Sequence, residues 1–136
     1  MLQSRIMFVG SPPQPVTAAS GFLVARDAQD REVDLAPIRL LLDRIVATWR
    51  PTQIRLFGSR ARGEAQPGSD WDLFVLVPDD VPEDELGPVA AWRLRKESRT
   101  RADVVPCHVS DFDEARDTPN TMAYEVARES VLLYAR

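Results

Sequence analysis

Apolar residues recur along this chain with two different periods, and the switches between them mark its elements. Leu35, Ile38, Leu42, Ile45 and Trp49 stand three and four residues apart, the spacing that gives a helix one apolar face. Asp34 ahead of them suits an N-cap and Pro51 behind them a stop, so a helix is predicted over 35–49. Ile54 to Phe57 reads as a short strand ending at Gly58. Trp71 to Val77 is apolar except for Asp72 and is bounded by Gly68-Ser69 and Pro78-Asp79-Asp80, which predicts a second strand. After a proline-rich acidic connection the pattern predicts a helix over 88–99 and a strand over 102–109, in which Pro106 limits hydrogen bonding. A helix over 121–130 and a last strand over 131–134 complete the chain. This order predicts a mixed α/β (α+β) domain: a small twisted sheet with helices packed on one face and polar residues lining an open cleft on the other.

A length of 136 residues suits one domain with one core. Residues 1–30 contain Pro12, Pro13, Pro15 and the polar run from Arg26 to Glu32 without a sustained period. They are read as a poorly ordered N-terminal arm, dispensable for folding, ahead of a domain over 31–136. No apolar run approaches the roughly 20 residues of a membrane span, and the start lacks the long apolar stretch of a secretory signal. The expectation is a cytoplasmic protein with no membrane partner. A single cysteine, Cys107, rules out an internal disulfide, and a single histidine, His108, leaves metal binding to carboxylates. Both are read as structural. Carboxylates select hard cations. With 21 acidic against 17 basic residues, a net charge of -4 speaks against a general nucleic-acid binder. The basic group Arg93, Arg95, Lys96, Arg99 and Arg101 reads either as a solvated helix face or as a surface for phosphate or a partner.

The chemistry concentrates between Leu56 and Val77. Alternate side chains of a strand share a face, so Asp70 and Asp72 project together while Trp71, Leu73 and Val75 turn toward a core. Two carboxylates so placed repel each other, and a divalent cation between them keeps both ionised. Magnesium suits such a pair because it takes few protein ligands and fills its remaining positions with water and phosphate oxygens. Gly58 permits close backbone approach, and Ser59 is expected to cap a short helix whose N–H groups face a phosphate. Arg60 and Arg62 either pair with phosphates or remain solvated beside Glu64. Asp103, Asp111 and Asp113 are further carboxylates beyond this stretch, and the last two read better as the start of a helix than as a metal site. Ser59 has no histidine base to make it a nucleophile.

Gly58-Ser59, ten residues from Arg60 to Ser69, and then Asp70-Trp71-Asp72 ahead of Leu73-Phe74-Val75-Leu76-Val77 resemble the signature of the polymerase-beta-like nucleotidyltransferases. The small size resembles their minimal branch, the MNT proteins. The resemblance runs from about Leu35 to the C-terminus, and Trp71 is bulkier than the aliphatic residue usual between the aspartates. It implies the fold of that superfamily and a site in which Asp70, Asp72 and Asp103, the last matched to the family's third acidic residue, hold two magnesium or manganese ions. It further implies that Gly58, Ser59, Arg60, Arg62 and Ser69 bind the nucleotide. The implied activity is transfer of a nucleoside monophosphate, AMP from ATP, to a hydroxyl. The implied acceptor is a partner protein of the HEPN type, with which MNT proteins form toxin–antitoxin pairs, and nucleic acid is not expected as a direct partner. Two alternatives remain: a non-catalytic nucleotide-binding interaction module, and a transferase acting on an aminoglycoside-like small molecule, for which this chain has no evident acceptor domain.

Overall fold

In a computed structural model, residues 21–136 are described. A single turn of 3-10 helix, Ala36–Ile38, leads into α1, Arg39–Trp49. Asp34 Oδ1 accepts from the Ala36 N–H at 3.0 Å, but the N-cap of the 3-10 turn is Leu35 and that of α1 is Ile38, neither with a side-chain cap. Asp34 therefore steadies the approach to the helix rather than capping it. The helix ends on Arg50 in the left-handed region at φ 47°, one residue before Pro51. Then follow β1, Gln53–Phe57, the four-residue α2, Ser59–Arg62, and β2, Trp71–Val77. Helix α3, Pro88–Ser98, precedes β3, Ala102–His108. The chain closes with α4, Val109–Ala115, α5, Met122–Glu129, and β4, Val131–Ala135.

The four strands form one mixed sheet in the order β3-β2-β1-β4. β1 runs antiparallel to both β2 and β4, whereas β2 and β3 are parallel. That register sets Asp72 directly beside Asp103 and Phe57 opposite Asp72. On one face Ile54, Leu56, Leu73, Val75 and Val77 pack against Leu41, Leu42, Ile45 and Trp49 of α1 and Ala91 and Leu94 of α3. The Trp49 indole, fully buried here, donates to Glu85 O at 2.9 Å, so its polar atom is not stranded.

The expected layer of helices on one face is therefore present, but the other face is covered as well. Phe74, Leu76, Phe112, Ala123 and Val126 form a second, smaller core beneath α4 and α5. Asp72, Phe74 and Leu76 share one face by alternation, so the open cleft is the end of that face which α4 and α5 leave uncovered.

The poorly ordered arm proposed for residues 1–30 needs correction over its last ten residues, and residues 1–20 lie outside the described part. Phe22 is buried with its ring 5.0 Å from that of Tyr134, and Leu23 N–H donates to Leu133 O at 2.9 Å. Ala135 N–H in turn donates to Gly21 O at 3.0 Å, so Gly21–Leu23 cover the outer edge of β4. Farther on, Ala28 N–H donates to Ala61 O at 2.9 Å, and Arg31 donates to Gly63 O. The polar run that looked unstructured is a strap that turns back on itself, Asp27 N–H donating to Arg31 O at 2.9 Å and Arg26 Nε to Asp30 Oδ1 at 2.8 Å, and that is tied to the α2 turn by the bonds to Ala61 and Gly63.

Candidate active site

The turn after β1 is shaped by the absence of one side chain. Gly58 has φ +77°, and a Cβ there would lie 2.1 Å from Asp72 Oδ2, closer than any real contact. The close approach read from the sequence is therefore an approach of this backbone to Asp72. Gly58, not Ser59, occupies the N-cap of α2, and no side chain caps that helix. The capping role expected of Ser59 is thus not the one it has. Its backbone carbonyl accepts from Glu64 N–H at 2.9 Å and helps close the turn.

Arg60 is fully engaged within the loop. Its Nε and Nη2 donate to Ser69 O at 3.1 and 2.8 Å, and its guanidinium stacks 4.3 Å from the centroid of Trp71. The bulky residue between the aspartates thus has a function of its own, as a platform for the arginine that draws Ser69 toward α2. Ser69 Oγ accepts from Gln66 N–H at 2.9 Å and holds the loop just ahead of Asp70. Arg62 pairs with Glu64 at 2.8 Å and lies within electrostatic reach of Asp72.

Burial first, and then the charges of Asp103 and Asp70, push the Asp72 carboxyl above the usual carboxylate range, while Arg62 draws it partly back. The three expected acidic residues thus act on one another, but they do not all converge. Arg101 Nε lies 3.2 Å from Asp70 Oδ1, and Arg95 Nη1 lies 4.0 Å from Asp103 Oδ1. Among the described residues no three carboxylate, imidazole or thiol groups are gathered so as to hold a metal ion as they stand. Asp72 and Asp103 share a cleft of about 460 Å³ with Phe57, Val105, Pro106 and Met122 in its walls. Asp111 and Asp113 lie in α4, Asp111 in its first turn. His108 Nε2 donates to Val81 O at 2.7 Å, and burial pushes the Cys107 thiol up.

A family model for the nucleotidyltransferase domain matches residues 38–126, more than half of the chain, and spans the turn and all three aspartates. The chain belongs to this family. It is accordingly a transferase of nucleotidyl groups, and the mixed sheet with its flanking helices is a nucleotidyltransferase fold. A crystal structure described as a nucleotidyltransferase from Sulfolobus solfataricus is similar at 19% identity and a TM-score of 0.47, over 74% of this chain and 84% of that one. Another, described as a toxin-antitoxin with AMP-PNP, is similar at 20% identity and a TM-score of 0.46, over 71% of this chain and 72% of that one. No curated protein shows a significant sequence match.

Sequence reasoning missed a part of this nucleotidyltransferase on the far side of Gly58. There Phe57, Gly58 and Arg62 face Thr121, Met122, Glu125 and Glu129 across a cavity of about 310 Å³. Its sequence signal is the spacing of Met122, Glu125, Val126 and Glu129 along one stripe of α5, which reads as ordinary amphipathicity until β1 is known to face it. Arg101 on Asp70 carried no signal at all, because the pair forms across two strands. Among the described residues no helix is long and apolar enough to cross a membrane.

Proposed function

We propose that the protein transfers a nucleoside monophosphate, AMP from ATP, to a hydroxyl of a partner protein in a magnesium-dependent reaction. The observation that carries this reading is the crowding of Asp72 by Asp103 and Asp70 beside a glycine with no room for a side chain. An all-oxygen donor set with too much negative charge fits a hard divalent cation. Asp72 and Asp103 would hold it, with Asp70 joining as Arg101 yields. Such a cation, when bound, supplies charge neutralisation for the triphosphate and lowers the pKa of the acceptor hydroxyl.

The chain's own residues do the rest. The Gly58 turn brings backbone, and not side chain, against the reacting end of the nucleotide. Asp103, on the exposed edge strand, faces the direction from which an acceptor arrives and takes the proton of its hydroxyl. The acceptor oxygen forms a bond to the α-phosphorus as the bond to pyrophosphate breaks. In the biological setting implied by the resemblance to MNT proteins, the acceptor is a HEPN-type toxin and this chain its antitoxin. The hold of Arg101 on Asp70 favours a second reading, a binding module that neutralises its partner by contact alone.

Calorimetry with ATP, with and without a chelator, tests the cation: tight binding only with magnesium is expected, and equal affinity in both conditions removes the cation from the reading. Mass spectrometry of a co-purified partner after incubation with ATP and magnesium tests the transfer. Asp72→Asn should reduce the added nucleotide by at least about 10²–10³-fold, the loss typical of one catalytic electrostatic contact, while the fold persists. If neither form adds a nucleotide and both neutralise the partner, contact alone is its function.

A further inference from the structure

A chain of net charge -4 gathers four cations on one side of Asp103. Arg95 and Lys96 lie in the last turn of α3, Arg99 follows it, and Arg101 precedes β3. With Trp92 they line an open cleft of about 470 Å³ whose remaining wall includes Asp70 and Asp103. Two of the four are committed: Arg101 to Asp70, and Arg95 to Ala102 O at 3.2 Å beside Asp103. The other two are not. Lys96 lies 4.8 Å from the centroid of the Trp92 ring, and among the described residues no ion pair or side-chain hydrogen bond engages Lys96 or Arg99.

The same helix continues the patch in apolar form. Val89 and Trp92 are 65% and 49% exposed, and with Lys96 they follow helical spacing along one stripe. We propose that this face, from Val89 through Trp92 and Lys96 to Arg99, is the docking surface for the acceptor protein, and that it takes a partner presenting carboxylates around an apolar contact. The proposal rests on the reading that the acceptor hydroxyl belongs to a protein.

Charge and composition together select that occupant. Tryptophan and arginine carry a disproportionate share of binding energy at protein interfaces, and opposite charge steers the partner to the right face. A nucleic acid would instead follow a longer track of cations, one for each phosphate neutralised. Here the cations are confined to residues 95–101, and two carboxylates share the cleft with them. Docking on this face would set a hydroxyl of the partner at the Asp103 edge of the site.

The test uses the full chain and three fluorescent probes: a glutamate-rich peptide with leucines around a central tyrosine, its lysine-rich counterpart, and a short oligoadenylate. Anisotropy should show the acidic peptide binding best, with affinity falling as salt is raised. The double substitution Lys96→Glu with Arg99→Glu should weaken it about tenfold, and Trp92→Ala should weaken it independently of charge. Thermal melts confirm that these exposed positions leave the fold intact, and the ATP affinity of the uncharged substitution Trp92→Ala should be unchanged. Binding of the acidic peptide that survives both sets of substitutions overturns the proposal. So does absence of binding, or tighter binding of oligoadenylate lost in the same variants, which makes the face a nucleic-acid site. Loss of ATP binding in the unmodified chain is a separate result that strikes the proposed transfer and not the docking face.

Discussion

Gly58 has no side chain, and the space where one would begin is taken by the Asp72 carboxylate. Gly58→Ala therefore meets two obstacles, a φ of +77° that side chains avoid and a contact with Asp72 that must open. It should lower stability by more than about 1 kcal/mol and displace Asp72, so that melting temperature and magnesium-dependent ATP affinity fall together. The raised pKa of Asp72 has its own consequence. The folded chain holds this proton more tightly than the unfolded chain, so the group stabilises the metal-free fold below the ordinary carboxylate range. That contribution is lost as pH rises through the raised value. Melts of chelated protein should show the loss, Asp72→Asn should flatten it, and magnesium should reverse it. The turn at Gly58 and the strand that begins at Trp71 were legible in the sequence, because a glycine and an apolar run mark them locally. The engagement of Arg60 by Ser69 O and of Asp70 by Arg101 was not, since each depends on where a flexible side chain settles after the loop and sheet have formed.

At the scale of elements, Thr121 shows how one residue starts a helix. Its Oγ1 accepts from Tyr124 N–H at 3.1 Å and donates to Thr118 O at 2.8 Å, joining α5 to the turn before it. Thr121→Ala should cost about 1 kcal/mol, measured by denaturant unfolding, and should disturb the cavity beside Gly58 because Thr121 lines it. Helices α1, α3 and α5 and all four strands were legible to within a residue or two at most ends, because each has a run long enough to express its period and a proline, glycine or polar cap to end it. The second core was harder to see. Phe74 and Leu76 lie in a strand that reads as apolar on both sides, and nothing local says that Phe112, Ala123 and Val126 will cover one of them.

Over the whole molecule, the segment after residue 20 joins two distant places, the β4 edge through Gly21–Leu23 and the turn of the site through Ala28 and Arg31. Residues 21–30 show no period because they are held by backbone pairing and by one aromatic ring rather than by a repeating face. Deleting residues 1–25 removes that ring, and with Phe22→Ala the cost should be about 3 kcal/mol or more, read as a cooperative fall in melting temperature. The two rims of the sheet are also guarded differently. On one, Gly21–Leu23 already take the pairing positions of β4; on the other, β3 carries Pro106, which has no N–H to offer. Copies of the chain therefore cannot zip into a continuous ribbon through β4 unless the strap first peels away. A preparation clipped just after Leu23 should turn turbid on concentration, and the unclipped chain should stay clear.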